Sequence, residues 1–260
     1  MIWAPDPRAV LAVIDAAIDA TAAFEIQSWE KSPGEWVTER DMAIEAILDE
    51  QLVALAPGSR VLGEEATHDA RGASMAIGPG LVWVVDPLDG TANYIAGDGP
   101  VATMVALVVD GVPRLGCIRL HDGLALLSGV EGVEVLGGAG LRPKGAMSGR
   151  GRLSCRFLAN DVCQTLHEVL ERDYQVEEGS GCAGRDYVDL ALGAVDFLIY
   201  ERVLPWDHVP GSHAVGVLGG SVRVGDGMPY RGQSGVAGLV ASTSNALTAQ
   251  LLKARSAVLR

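Results

Sequence analysis

Leu81-Val82-Trp83-Val84-Val85-Asp86-Pro87-Leu88-Asp89-Gly90-Thr91-Ala92-Asn93 is the stretch on which the reading of this chain turns. Its first five residues are apolar, uncharged and mostly β-branched, which predicts a buried strand. That strand delivers two carboxylates and a hydroxyl into a sharp turn. Asp86 and Asp89 are hard oxygen ligands three residues apart, and Pro87 fixes the backbone between them so that the Leu88 carbonyl points at the same ion. Gly90 lets the backbone approach a ligand closely. The N–H groups of Gly90 and Thr91 form a cradle for an anion, strengthened by a helix starting near Ala92. Metal ligands beside an anion nest suggest phosphate. Taken alone, Pro-Leu-Asp-Gly also reads as a solvated turn closing a hairpin.

The totals narrow the options. With 260 residues, 48% of them apolar, the chain has volume for one large domain or two smaller ones around a buried core. A formal charge of −13 opposes a nucleic-acid groove, which needs clustered Lys and Arg. The same acidity suits a metal site, and a phosphate substrate would need a bound cation to offset it. Cys117, Cys155, Cys163 and Cys182 are too widely spaced for a C-x-x-C site and predict reduced thiols in a cytoplasmic protein. Residues 1–7 lack the basic start and apolar core of a signal peptide, and no apolar run has the length of a membrane span. A soluble, intracellular protein without a membrane partner is expected.

Along the chain, Asp6-Pro7 opens a helix expected to run to about Trp29, and Lys31 to Glu35 breaks it. Thr38 starts a second helix, with Ile44, Ile47, Leu48 and Leu52 on one face. Val61 to Glu65 reads as a short strand ending in paired acids. Residues 101–136 read as an antiparallel meander with turns at Asp110-Gly111 and His121-Asp122-Gly123. Gly137 to Arg152 is the best domain boundary, dividing residues 1–140 from 141–260. Beyond it, a strand over 153–159, a helix over 161–172 and a strand over 174–177 suggest an α/β half. Gly179 to Gly184 leads into a helix ended by Gly193, and Ala194 to Tyr200 reads as a strand. A small-residue helix over 211–218, two short strands and a closing helix over 245–259 complete the chain.

Asp86-Pro87-Leu88-Asp89-Gly90-Thr91-Ala92-Asn93 resembles the signature of the inositol monophosphatase family, magnesium-dependent and lithium-sensitive phosphomonoesterases. Gly63-Glu64-Glu65, Trp206-Asp207 and the segment Val37-Thr38 to Asp41 and Glu45 are similar to further family motifs. The resemblance implies an α/β protein, α+β in its N-terminal half and α/β in its C-terminal half. Its architecture would be the layered α-β-α-β-α sandwich of the inositol monophosphatase and fructose bisphosphatase type. A homodimer is common among such relatives. By the same resemblance Glu64, Asp86, the Leu88 carbonyl, Asp89 and Asp207 hold two Mg2+ ions, with Asp41 near a third. Thr91, partnered by Glu64 or Asp41, would orient or deprotonate the attacking water. Each acid also has a plainer reading: Asp41 completes a capping box, Glu64 and Glu65 face solvent, and Asp207 caps a helix.

Substrate contacts are implied at Asp89, Gly90, Thr91, Gly181, Cys182, Ala183, Tyr200 and Asp207, with Arg185 and Arg202 facing the cleft. Pro210 stands where the family usually has Ala. Tyr200 stands where the family has an acidic residue that grips inositol hydroxyls, and one phenol cannot replace a bidentate acceptor. A small phosphorylated metabolite is therefore expected, with inositol-like cyclitol, sugar and histidinol phosphates, fructose bisphosphate and 3′-phosphonucleotides all open. Two rival readings are a haloacid-dehalogenase-type aspartyl nucleophile, disfavoured by the i, i+3 spacing of the acids, and a non-catalytic magnesium-binding regulatory module.

Overall fold

In the computed structural model, residues 4–69, 77–138, 140–143, 145–225, 227–232 and 235–259 are described. The start of the stretch read for a signal peptide, the Gly- and Ala-containing loop over 70–76, and positions 139 and 144 of the boundary stretch lie outside them.

Asp6 caps helix α1 (Pro7–Ala20) by accepting from the Arg8 N–H at 2.9 Å, and Pro7 presets its first turn. Val10, Ile14 and Ala17 form its buried stripe. The helix does not continue to Trp29. Thr21 closes it with its hydroxyl donating to Ala17 O at 3.0 Å, and Phe24 and Ile26 beyond it stay exposed, so further turns would bury nothing. Instead the chain forms a hairpin of β1 (Ser28–Ser32) and β2 (Glu35–Thr38), turned at Pro33-Gly34 with Gly34 at φ 79°. Thr38 and Asp41 then make the capping box of α2 (Glu39–Leu55), which buries Ile44, Leu48 and Leu52.

Strand β3 (Arg60–Gly63) passes directly into α3 (Glu64–Asp69), so Glu64 and Glu65 open a helix rather than end the strand. Strand β4 (Leu81–Asp89) lies parallel to β3, and α4 (Thr91–Ala96) follows at once. Then β5 (Ala102–Val109), β6 (Val112–Leu120), β7 (Ala125–Gly129) and β8 (Gly132–Leu136) form the expected meander, in the sheet order β3-β4-β5-β6-β7-β8. Asp110 and Gly111, with φ 48° and 75°, supply the two positive values of a tight two-residue hairpin. His121 is a turn residue, its Nε2 3.1 Å from Thr103 Oγ1.

The second sheet begins with β9 (Arg150–Leu153), which lies mostly in the stretch read as a boundary and ends where the strand predicted over 153–159 begins, because Ser154 to Leu158 turn into α5 (Asn160–Leu170). That turn joins Cys155 to Cys163 in a disulfide with Cα atoms 5.7 Å apart, so two of the four cysteines are not the reduced thiols expected. Spacing along the chain gave no sign of the pairing, because the reversal between the two sulfurs is tertiary. After β10 (Gln175–Glu178) come α6 (Ala183–Leu192), β11 (Phe197–Tyr200) and α7 (Pro205–Val217). Strands β12 (Ser221–Val224), β13 (Met228–Pro229) and β14 (Leu239–Ser242) and helix α8 (Asn245–Val258) follow, and the sheet order is β10-β9-β11-β14-β12-β13. Buried Asp196, at the start of this strand region, accepts from Arg142 and from the N–H groups of Ser148 and Gly149.

Period-two burial stacks the layers. Trp83 and Val85 of β4 face α1 and α2, whereas Val82 and Val84 face α6 and α7. Leu198, Leu239 and Ala241 of the second sheet cover the far side of α6 and α7, and Phe197, Ile199 and Val240 pack on α5 and α8. The result is the α-β-α-β-α sandwich that the motifs implied. The central layer is tight: a Cβ at Gly116 of β6 would stand 2.3 Å from the Pro210 carbonyl of α7. We therefore expect Gly116→Ala to lower stability by roughly 1–3 kcal/mol, read as a lower denaturant midpoint at unchanged slope.

Candidate active site

The strand β4 is interrupted where its acids begin. Asp86 pairs with Met104 and Asp89 with Ala102, so β4 gains one residue on β5 across Pro87-Leu88. Proline has no N–H to give the ladder, and a bulge at this point re-aims the side chains. Asp86 keeps the face of Val82 and Val84, toward α7, while Leu88 turns into the opposite core layer. Thr103 Oγ1 donates to the Pro87 carbonyl at 2.8 Å and fixes the bulge.

Three carboxylates from three elements meet there. Oxygens of Glu64 at the start of α3, Asp86 of β4 and Asp207 of α7 all lie within 4.8 Å of one another. Asp207 is not the cap of α7: Leu204 occupies the N-cap and Pro205 the first turn, which places Asp207 inside that turn, aimed at the sheet. Burial, then the charge of Glu64, pushes the carboxyls of Asp86 and Asp207 well above their ordinary value. A hard divalent cation would offset the like charges and satisfy all three groups, so the donor set fits an ion of the magnesium class.

The other acids are held by the fold in distinct ways. Asp41 is buried, its Oδ2 accepting from the Thr38 N–H at 2.9 Å and its Oδ1 standing 3.1 Å from Thr91 Oγ1. It is thus both the capping-box residue and a neighbour of the site, and burial lifts its carboxyl to about 6. The single hydroxyl hydrogen of Thr91 is offered either to Asp41 or to the Leu88 carbonyl 2.9 Å away. Asp89 lines the pocket, but its Oδ2 accepts from the Gly184 N–H at 2.6 Å and from Cys182 Sγ at 3.1 Å, at the start of α6. Burial raises Asp89 to about 6 against those hydrogen bonds. Glu65 is not one of the three clustered carboxylates, and Lys31 of the hairpin bridges it to Glu64 with Nζ contacts of 2.8 and 2.9 Å. Burial is the largest influence on the Lys31 ammonium and favours its neutral form, but the two glutamates outweigh it and keep the group charged.

Gly90, at φ 89°, caps α4 from a conformation that favours glycine, and a Cβ there would meet the Pro100 carbonyl at 2.8 Å. Gly90, Thr91 and Ala92 line the pocket at the start of that helix, where the first N–H groups have no partner within the helix. Gly181 also lines it, while Cys182 and Ala183 lie buried behind, below Asp89. Tyr200 does not reach the pocket lining: its hydroxyl donates to Asp186 Oδ2 at 2.6 Å. Arg185 is turned to Asp189 at 2.9 Å and Asp122 at 3.3 Å, but Arg202 is in the wall as expected.

Four lining residues had no place in the motif reading: Glu35, Trp36, Arg156 and Phe157. Arg202 is paired with Glu35 of the hairpin and lies 4.8 Å over the Phe157 ring, and Arg156 donates to the Gly34 carbonyl. The second-sheet loop thereby grips the first-sheet hairpin beside the acids. The sole signal in the sequence was Arg202, because Arg156 and Phe157 fell inside a segment read as strand.

Comparisons with known proteins bear on the family and the fold. A probable inositol 1-monophosphatase ImpA of Mycobacterium tuberculosis is 31% identical over 253 residues, covering 87% of this chain and 86% of that one. A histidinol-phosphatase of the same organism is 35% identical over 117 residues, 44% of this chain and 43% of its own. The solved Thermotoga maritima IMPase shares the fold at 20% identity with a TM-score of 0.77, covering 97% of this chain and 96% of that one. With the family model described as "Inositol monophosphatase family" matching residues 7–260, the chain belongs to the inositol monophosphatase family.

Proposed function

We propose that this family phosphatase is a magnesium-dependent phosphomonoesterase acting on a small phosphorylated metabolite by direct attack of water. The observation that carries the reading is the meeting of Glu64, Asp86 and Asp207 beside the Gly90-Thr91 turn. Glu64, Asp86, Asp207, the Leu88 carbonyl and the free face of Asp89 would hold two Mg2+, with Asp41 near a third. When bound, the ions supply positive charge to the phosphate and make water nucleophilic near neutral pH. The N–H groups of Gly90 and Thr91 hold phosphate oxygens. Thr91 Oγ1, its hydrogen directed at Asp41 Oδ1, turns a lone pair to the pocket, where it accepts a hydrogen bond from the attacking water and orients it. Asp41, lifted to about 6, can then receive the proton at Oδ1. The family resemblance also carries a homodimer, and a cytoplasmic location rests on Cys117 and Cys182 as free thiols; among the described residues no helix is long and apolar enough to cross a membrane.

A second reading of the substrate has its own support. The phenol of Tyr200 is committed to Asp186, whereas Trp36 and Phe157 present ring surfaces at the pocket with Arg156 and Arg202 beside them. Aromatic faces and guanidinium groups suit a planar ring better than a cyclitol. Partial similarity to a histidinol-phosphatase points the same way. A phosphomonoester screen with Mg2+ that includes inositol 1-phosphate, histidinol phosphate and a nucleoside 3′-phosphate decides between them: preference for the ring-bearing esters is expected, and preference for inositol 1-phosphate would return the first reading.

Chelation should abolish phosphate release and added Mg2+ restore it. Glu64→Gln and Asp207→Asn should each lower kcat/KM by more than about a hundredfold, since even indirect metal contacts are worth 10–100-fold. The metal-free variants should unfold at midpoints no lower than wild type, because a like charge has been removed, and should lose the upward thermal shift that Mg2+ gives. Full activity in either variant would overturn the metal assignment. Thr91→Ala should lower kcat by about a hundredfold or more while keeping the Mg2+ thermal shift.

A further inference from the structure

A second set of ligand-type side chains lies in the C-terminal half, outside the carboxylate cluster. Cys155, Cys163, His167 and Glu178 each bring one ligand atom, and these four atoms all lie within 4.8 Å of one another. Three elements converge to make the set. Cys155 lies just past the end of β9, Cys163 and His167 stand one turn apart on the same face of α5, and Glu178 ends β10, whose register places it beside Leu153. The Glu178 carboxylate is oriented by accepting the Cys155 N–H at 2.9 Å. The His167 ring makes no hydrogen bond among the described residues; its Nδ1 is 3.9 Å from Glu171 Oε1.

The two sulfurs are joined in this structure, but a disulfide has no use for an imidazole and a carboxylate within 4.8 Å of both of its atoms. Two thiolates, one imidazole and one carboxylate are the donor set of a tetrahedral zinc site. Bond lengths of about 2.0–2.3 Å give a tetrahedron with edges of roughly 3.3–3.8 Å, inside the span of these four atoms. We infer that in its dithiol form the chain binds one zinc-class ion through Cys155, Cys163, His167 and Glu178. A dithiol reductant supplies the two electrons and two protons that open the S–S bond, itself becoming a cyclic disulfide. Metal binding then releases the two thiol protons as two S–metal bonds form. Ion and disulfide are alternative closures of the same loop, and that loop carries Arg156 and Phe157 to the active-site wall. The ion is thus a structural staple for one side of the pocket, separate from the hydrolytic metals.

Cobalt(II) reports such a site directly, because thiolate-to-cobalt charge transfer and tetrahedral d–d bands come only from sulfur-containing, four-coordinate sites. Full-length protein reduced with an excess of dithiol, then freed of it, is titrated with Co2+ and the bound ion displaced with Zn2+. With excess Mg2+ present to occupy the carboxylate site, both sets of bands should saturate at one equivalent of Co2+, and the protein left oxidised should show no charge-transfer band. Cys163→Ser should abolish the charge-transfer band. His167→Ala, which leaves both sulfurs in place, should weaken Co2+ binding at least tenfold. Asp86→Asn, which damages the hydrolytic site, should leave the bands unchanged, so the outcome is independent of the phosphatase reading. Absence of the charge-transfer band in the reduced wild type, its survival in Cys163→Ser, or undiminished affinity in His167→Ala would each overturn the inference.

Discussion

Like charges held close together in a water-poor place are the constraint that the rest of this structure serves. A pair of carboxylates about 4.8 Å apart repel by roughly 3 kcal/mol at an effective dielectric near 20, and Glu64, Asp86 and Asp207 make three such pairs when all are ionised. The protein alone relieves this in part, with the carboxyls of Asp86 and Asp207 pushed toward their neutral forms and the Lys31 ammonium against Glu64. Neither device offers the acids what a hard cation would. A chain that keeps such an arrangement has to hold it by other means, and here the means are packing.

Those means are visible in the layer between the sheets. Helix α7 carries Asp207 and lies against β4, β5 and β6 on one side and the second sheet on the other, so its axial position is fixed from both directions. Gly116 and Gly211 allow the approach: a side chain at the first would strike the Pro210 carbonyl, and one at the second the ring of Tyr187. The bulge at Pro87-Leu88 sets the aim of Asp86 from the opposite side. Position of the charges therefore depends on apolar contacts and missing side chains several residues away. The interior of a protein tolerates little volume change, which makes such placement stable against the repulsion it contains.

The pocket wall obeys a different logic. Arg202, Arg156 and Phe157 come from the second sheet and meet the β1–β2 hairpin of the N-terminal half, walling the pocket beside the acids. Cationic and aromatic groups there compensate a chain that is strongly acidic as a whole, and on the proposed function they would surround the part of the substrate that is not phosphate. On the proposed function chemistry and selectivity are separated: the acids of the first sheet and α7 would face the phosphate, and the loop closed between Cys155 and Cys163 would face the remainder.

Much of this was written locally in the chain. The uncharged run before Asp86, the capping box at Thr38-Asp41, the Asp-Gly hairpin turn and the signature from Asp86 to Asn93 each depend on neighbours within a few residues, and each is found where the sequence puts it. What failed was whatever depended on distant partners. The helix ends at Thr21 because Phe24 and Ile26 beyond it find no core, and only pairing with β2 makes Ser28 to Ser32 a strand. Asp207 has the composition of a cap, yet Leu204-Pro205 sets the helix start and turns the carboxylate toward Glu64 and Asp86. Tyr200 was placed by its position before the Trp-Asp motif, but its hydroxyl is claimed by Asp186 from α6, a contact that no spacing along the chain encodes. Sequence alone determined the family, the layered architecture and the acids, because periodicity and short motifs act over a few bonds. Only the tertiary structure decided which oxygens face one another and which arginines reach the pocket, because those are outcomes of how two sheets and the helices between them pack.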